Sequence, residues 1–274
     1  QAKTREKIIC FNLLDELLNA LEINKKQTTG RPSLRRKEQI LSMFIYAYGR
    51  FSSRKVISDI EFARRINLLT KTPHFNSVLN MFKLPYMTHF LCKLLELTSM
   101  PLRMFEENFA IDSSGFSTST FERWLDIRTQ KPVKKRYWKK AHLVVGTKTQ
   151  IITSIAITSG MSADSPELIP LVTRTSRNFD MKEVSGDKAY SSRDNLQVIA
   201  SLGAIPYIPF KSNSSQKPRG TRLWTQMYTY FYNNQEEFMK HYHQRSKIES
   251  AYSMIKRNFG HRLRMRSETG QINE

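Results

Sequence analysis

The fifteen residues Tyr242–Lys256, YHQRSKIESAYSMIK, decide how the rest of the chain is read. At 3.6 residues per turn they predict one amphipathic helix, on which Tyr242, Arg245, Tyr252 and Lys256 fall within about 60° of Glu249. Ile248, Ala251, Ile255 and Phe259 form an apolar face beside that stripe. A helix patterned this way docks through its aliphatic side and carries a carboxylate, two cations and two phenols along a cleft edge. Arg245 and Glu249 stand four residues apart, however, and taken alone they read first as an ordinary solvated ion pair. The stripe acquires chemistry only if acidic partners lie elsewhere in the chain.

The composition says what kind of partner to expect. The 274 residues carry 44 Lys+Arg against 24 Asp+Glu, a net charge of +20, with pI near 10. Such a balance excludes an indifferent cytosolic enzyme and points to a polyanion, with nucleic acid foremost. The charge is +8 through residue 110 and +12 beyond it, so a nucleic acid is expected to run across both halves. Cys10 and Cys92 belong to no metal-type spacing and read as reduced, buried thiols. Asp15 and Glu16 interrupt the apolar amino-terminal stretch, which argues against a signal peptide, and the uncharged run 149–163 is too short and polar to span a bilayer. The expectation is a soluble, cytoplasmic, nucleoid-associated protein with no membrane partner. The absence of an initiator Met and the abrupt QINE ending suggest a fragment.

Along the chain, Ile8, Phe11, Leu14, Leu18 and Leu21 predict a first helix, and NKKQTTGRPS a loop. Its Gly30-Arg31-Pro32 triplet reads as plain loop in preference to a minor-groove insert. Ser33, Ser53 and Thr72-Pro73 open three helices reaching about Tyr48, Leu68 and Phe82, and a further one runs from Pro85 to about Met100. Phe75, Val78, Leu79 and Phe82 face inward, leaving His74, Ser77 and Asn80 outward, where they can reach phosphates and base edges. Three short helices suit a helix-turn-helix reader and suit any helical packing module equally.

At Asn108 the period changes. NFAIDSSGF predicts a buried strand carrying Asp112, and residues 131–140 then hold six Lys or Arg, interleaved with Tyr137 and Trp138, before a strand to Val145. Within that run Lys134, Lys135, Arg136, Lys139 and Lys140 are candidate DNA-backbone contacts, with a solvated face as the alternative. A turn at 146–150 and the β-branched IITSIAIT complete a hairpin. A helix over 165–179, a strand ending at Asp187, a helix capped by Ser191 or Ser192 and stopped by Gly203, and a strand IPYIPF follow. The aromatic-rich stretch 224–232 leads to the Glu249 helix, expected to begin near Glu236. Trp224 reads as core in preference to a base-stacking platform, and His241 and His243 do not read as ligands.

Taken alone, Asp112 reads equally as a turn-forming residue and as a catalyst, and Asp187 reads first as a turn or cap residue. Together, the spacing Tyr-x2-Arg-x3-Glu-x6-Lys at Tyr242, Arg245, Glu249 and Lys256, with AIDSSG around Asp112, KAHLVVG, and GDKAYSS around Asp187, resembles the DDE transposases of insertion sequences. The resemblance covers about residues 105–265 and, more loosely, the helical amino-terminal region. It implies an α/β chain with a ribonuclease H-like catalytic core, a mixed sheet flanked by helices, in residues 105–274, preceded by an all-helical DNA-binding region in residues 1–104. It further implies that Asp112, Asp187 and Glu249 are catalytic and metal-binding, holding two Mg²⁺, with Mn²⁺ as substitute. Two such ions about 3.5–4 Å apart activate the attacking oxygen and neutralise the leaving one, and carboxylates suffice to hold them. Arg245 and Lys256 would then hold phosphates of the transposon end, and need not be spent on a salt bridge, and Tyr242 would help position the strand. The partners implied are double-stranded DNA, as terminal inverted repeats and as target, and further copies of the chain in a homodimer or higher oligomer on DNA. His74, Ser77 and Asn80 become candidate base contacts. Only 61 residues separate Asp187 from Glu249, so the β-rich insertion found there in some relatives has no room. The competing readings are a transposase-derived DNA-binding protein without turnover and a ribonuclease H-like nuclease that cuts without joining.

Overall fold

The computed structural model describes residues 2–21, 34–49, 52–118, 138–217 and 222–274. The Gly30-Arg31-Pro32 triplet, Ser33, and Lys134, Lys135 and Arg136 of the basic run lie outside the described residues. The chain divides into two compact units, 1–98 with 263–274, and 99–262.

The first unit is helical: α1 (Ala2–Ala20), α2 (Arg36–Gly49), α3 (Val56–Arg65), α4 (Phe75–Met81) and most of α5 (Pro85–Ser99). Phe11, Leu14 and Leu18 of α1 meet Ile40, Leu41 and Ile45 of α2, Ile60 of α3 and Val78 of α4 in one apolar core. Glu38, buried, ties α2 to the segment after α3: its carboxylate accepts from the Thr70 N–H at 2.7 Å, the Thr70 hydroxyl at 2.6 Å and the Arg35 N–H at 3.0 Å. The last twelve residues return to this unit. Asn273 donates to the carbonyls of Phe82 and Leu84 at 2.8 and 3.1 Å, and Arg264 lies over the Tyr46 ring at 4.3 Å. Sequence periodicity drew one boundary at residue 104 and could not show that a tail folds back. Cys10 and Cys92 are only half-buried, where the sequence predicts burial.

The second unit is built on a five-stranded sheet of β1 (Asn108–Ser117), β2 (Trp138–Gly146), β3 (Ile152–Ser159), β4 (Glu183–Gly186) and β5 (Ile205–Tyr207), in the order β3-β2-β1-β4-β5. β1, β2 and β3 are antiparallel neighbours, while β4 pairs parallel with β1, and β5 with β4. This is a mixed sheet flanked by helices, as the sequence leads one to expect. Alternation along β1 sorts its faces. Phe109 and Ile111 pack with α6 (Ser165–Ser176) and α7 (Arg193–Ser201), whereas Ala110 packs with Leu143, Val145 and the residues Ile248, Ala251 and Tyr252 of a late helix. IPYIPF yields only the three residues of β5, an edge strand that carries Pro206 within it, with Pro209 beyond its end. Glu106, fully buried, closes the β2–β3 turn by accepting from the N–H groups of Lys148 and Thr149.

The late helices are α8 (Arg222–Asn233), α9 (Gln235–Tyr242), α10 (Ser246–Phe259) and α11 (Glu268–Asn273). The single helix expected through Tyr242–Lys256 is interrupted by a 3₁₀ turn at His243–Arg245. Gln244 fixes that turn, accepting from the Thr147 hydroxyl at 3.1 Å and from the Asn108 amide at 3.5 Å. No helix among the described residues is long and apolar enough to cross a membrane.

Candidate active site

Parallel pairing places the two aspartates side by side. Ile111 opposite Gly186 is the last rung between β1 and β4, so Asp112 and Asp187 are the next residue on each of two adjacent strands. Strand spacing there is about 4.8 Å. Gly186 permits the close approach, since a Cβ added to it would lie 2.9 Å from Ile111 Cγ2. Asp187 turns its carboxylate back to the Lys188 N–H at 2.6 Å, capping a short 3₁₀ turn, and Asp112 accepts from the Ser113 N–H at 2.8 Å.

Glu249 reaches this edge through Arg245. The guanidinium donates through Nη1 to Asp112 Oδ2 at 2.5 Å and through Nη2 to Glu249 Oε1 at 2.8 Å. It is thus engaged by two carboxylates: the Arg245–Glu249 pair that the four-residue spacing allows is formed, and Asp112 joins it from β1. Lys256 Nζ donates to Ser114 Oγ at 2.7 Å and lies 5.3 Å from the Phe116 ring centroid. The Tyr242 ring flanks Arg245 at 5.7 Å. Two members of the expected stripe and face behave otherwise. Tyr252 is buried, not at a cleft edge, and Phe259 is exposed, not docked.

The electrostatics follow from burial and crowding. Burial raises the Asp112 carboxyl above the ordinary aspartate range, the Asp187 and Glu249 charges push the same way, and the Ser113 N–H and Arg245 pull against them. Burial works against the Arg245 charge, but Tyr242, Asp112 and Glu249 outweigh it and hold the guanidinium above its usual value. Asp112, Asp187 and Glu249 supply hard oxygen donors, a donor chemistry that fits a small divalent cation. In this conformation Asp112 and Glu249 are joined through a protein cation. Among the described residues, no three His, Cys, Asp or Glu side chains stand close enough to share a metal ion.

The remaining candidates separate. Lys140 is tied to Asp164 Oδ1 at 2.8 Å and the Ser162 carbonyl at 2.9 Å, and Lys139 is half-buried on the other face of β2. His74, Ser77 and Asn80 are at least partly exposed, but the His74 ring nitrogen caps α4 by accepting from the Asn76 N–H, and Asn80 accepts from Lys83 at 2.9 Å. Trp224 is core, its indole N–H bonded to the Ser215 carbonyl and Arg193 over its ring at 4.4 Å. His241 bonds Glu183 at 3.0 Å and stacks on Tyr207. Sequence reasoning assigns no role to Gln244; its place within the Tyr242–Lys256 stretch was the available signal.

Residues 103–274 match the family described as the transposase DDE domain. Among solved structures, the piggyBac transposase synaptic complex with hairpin DNA is similar at 11% identity and TM-score 0.44, covering 97% of this chain and 72% of that one. The Mos1 transposase paired-end complex with left transposon end gives 9% identity and TM-score 0.29, covering 94% and 88%. A pre-cleavage Mos1 transpososome gives 9% and 0.27, covering 87% and 83%.

Proposed function

Because this chain belongs to the transposase DDE domain family over residues 103–274, we propose that it cleaves DNA at the ends of an insertion sequence and joins the freed strand to target DNA. We assign it to the branch carrying Tyr-x2-Arg-x3-Glu-x6-Lys. The observation that carries the reading is the side-by-side placement of Asp112 and Asp187 on adjacent strands, with Glu249 linked to Asp112 by Arg245.

The roles follow from what each side chain can do. Asp112, Asp187 and Glu249 would hold divalent metal, with Mg²⁺ as the ion and Mn²⁺ as its substitute. Bound there, the metal supplies Lewis-acid activation of the attacking oxygen and neutralises charge on the leaving oxygen. Arg245 presents a planar fork suited to a phosphate, and Lys256, 2.7 Å from Ser114, is a point charge along the same edge. Tyr242 orients the fork from its other side. The buried Tyr252 and Gln244 fix the elements that carry these groups. The basic run through Lys139 would track the DNA backbone, and the helical unit would read the terminal repeats through the face of α4 bearing His74, Ser77 and Asn80. Assembly as a dimer or higher oligomer on paired ends completes the reading, with the protein acting in the cytoplasm on nucleoid DNA.

The test is a gel assay in which purified protein meets a labelled duplex carrying the inverted repeats that flank the gene. Cleavage and strand transfer in Mg²⁺ or Mn²⁺ support the reading. Cleavage without joining returns a nuclease, and end binding without cleavage returns a DNA-binding derivative.

A further inference from the structure

Arg245 holds two carboxylates in one fork, and that fork is shielded: its side chain and that of Asp112 are each about four-fifths covered, at 20% and 21% exposure, while Glu249 stands out at 59%. The oxygens that would face a divalent cation therefore face the protein's own cation, and the fork that would face a phosphate is filled by carboxylates. We infer that Arg245 is an internal stand-in for the metal, released from Asp112 and Glu249 when a DNA phosphate draws it away, so that phosphate and metal bind this site cooperatively. The inference rests on the reading of the three acids as metal ligands.

Each ligand removes the competitor of the other. A divalent cation entering between Asp112 and Glu249 frees the guanidinium for phosphate; a phosphate taking the guanidinium frees the carboxylates for the cation. Glu249 is the open side of the clasp, so release there disturbs no buried packing, and the turn beneath Arg245 stays fixed by Gln244. Linkage makes the coupling reciprocal: the factor by which DNA raises metal affinity is the factor by which metal raises DNA affinity.

The experiment titrates Mn²⁺ into the full chain, reading free Mn²⁺ by electron paramagnetic resonance, with and without a duplex whose own Mn²⁺ binding is subtracted. Wild type is expected to bind Mn²⁺ weakly alone and about tenfold more tightly with duplex, within the usual span of coupling between sites. Arg245→Gln should bind Mn²⁺ about tenfold more tightly than wild type in the absence of DNA and gain little from duplex. Arg245→Lys, which keeps the charge without the fork, should fall between them, and circular dichroism establishes that both variants are folded. Asp112→Asn and Glu249→Gln separate the two levels of the argument. If either retains wild-type Mn²⁺ binding, the metal-site reading fails. If both lose it while Arg245→Gln binds no more tightly than wild type, the acids stand as ligands and the clasp is overturned.

Discussion

The phenolic oxygen of Tyr252 lies 2.9 Å from the backbone carbonyl of Asp112 and 2.6 Å from that of Ala141. With one proton, the hydroxyl donates to one carbonyl at a time, and either bond ties α10 to the sheet beside the first carboxylate. Burial raises this phenol well above its ordinary pKa, so it remains a neutral donor throughout the working range.

Tyr252→Phe keeps the ring in its packing among Ala110, Leu143 and Ile248 and deletes only the bonds. The expected stability loss is about 1 kcal/mol, the ordinary worth of a buried hydrogen bond. Because the hydroxyl sets the height of α10 over Asp112, the cleavage rate constant should fall by more than end binding does. A variant with reduced melting temperature and unchanged single-turnover cleavage would make Tyr252 a packing residue alone.

Glu38 should make the helical unit acid-labile. Burial raises its carboxyl, but the Thr70 hydroxyl and N–H, the Arg35 N–H and the Arg35 charge overcome that and hold it below the usual range. A depressed acid contributes stability that is present above its unfolded value, about 4.3 for Glu, and is lost as pH falls through the lower folded value. Glu38→Ala should therefore destabilise the unit by roughly 2 kcal/mol at pH 7, and the gap to wild type should close in acid. Urea unfolding followed from pH 7 to pH 3 checks this; a gap independent of pH would assign the loss to packing.

Much of this architecture is legible in the sequence because it depends on local rules. The strand around Asp112, the turn at 146–150, the Ser192 cap and the stop at Gly203 all arise from neighbours within a few residues, and each has a side-chain signature. The proximity of Asp112 to Asp187 was inferable only from their joint pattern, since parallel pairing of β1 with β4 joins segments some seventy residues apart. Three features could not be read. The 3₁₀ break at His243–Arg245 is fixed by Gln244 bonding to Asn108 and Thr147, contacts that no helical wheel contains. Arg245 joins Asp112 across the fold, so its local spacing to Glu249 showed half of its engagement. The return of residues 263–274 to the helical unit depends on Asn273 and Arg264 finding backbone carbonyls far upstream.

Lys140 is bonded to Asp164 and to the Ser162 carbonyl, an arrangement that braces the open end of the β2–β3 hairpin. Neutralising Lys134, Lys135, Arg136 and Lys139 together should flatten the plot of log affinity against log salt, by about 0.9 for each phosphate that the variant no longer neutralises. Lys140→Gln should instead lower the melting temperature and leave that slope alone. A fluorescence-anisotropy titration across salt concentrations, beside a melting curve, reads both, and an unchanged slope in the four-residue variant would make the run a solvated face.

The three carboxylates should fail as a unit. Asp112→Asn, Asp187→Asn and Glu249→Gln preserve shape and remove charge, so each is expected to abolish both strand cleavage and strand transfer, since in the proposed function one site would serve first a water and then a freed 3′ hydroxyl. Losses within such a unit are non-additive, and double variants should be hardly worse than singles. Misfolding is separable from loss of chemistry at Asp112. Its folded pKa is raised, so its ionised form is disfavoured by the fold, and the associated stability is present below the unfolded value and lost as pH rises through the folded one. At pH 7 the neutral Asp112→Asn should consequently melt no lower than wild type while cutting nothing. End binding should survive or tighten in all three variants, because negative charge beside a phosphate has been removed. A labelled end duplex assayed in Mg²⁺ and in Mn²⁺, beside a mobility shift in Ca²⁺, distinguishes the cases. Wild-type cleavage by any one variant removes that residue from the site, and cleavage by Glu249→Gln would reduce the Arg245–Glu249 pair to the solvated ion pair that its spacing alone permits.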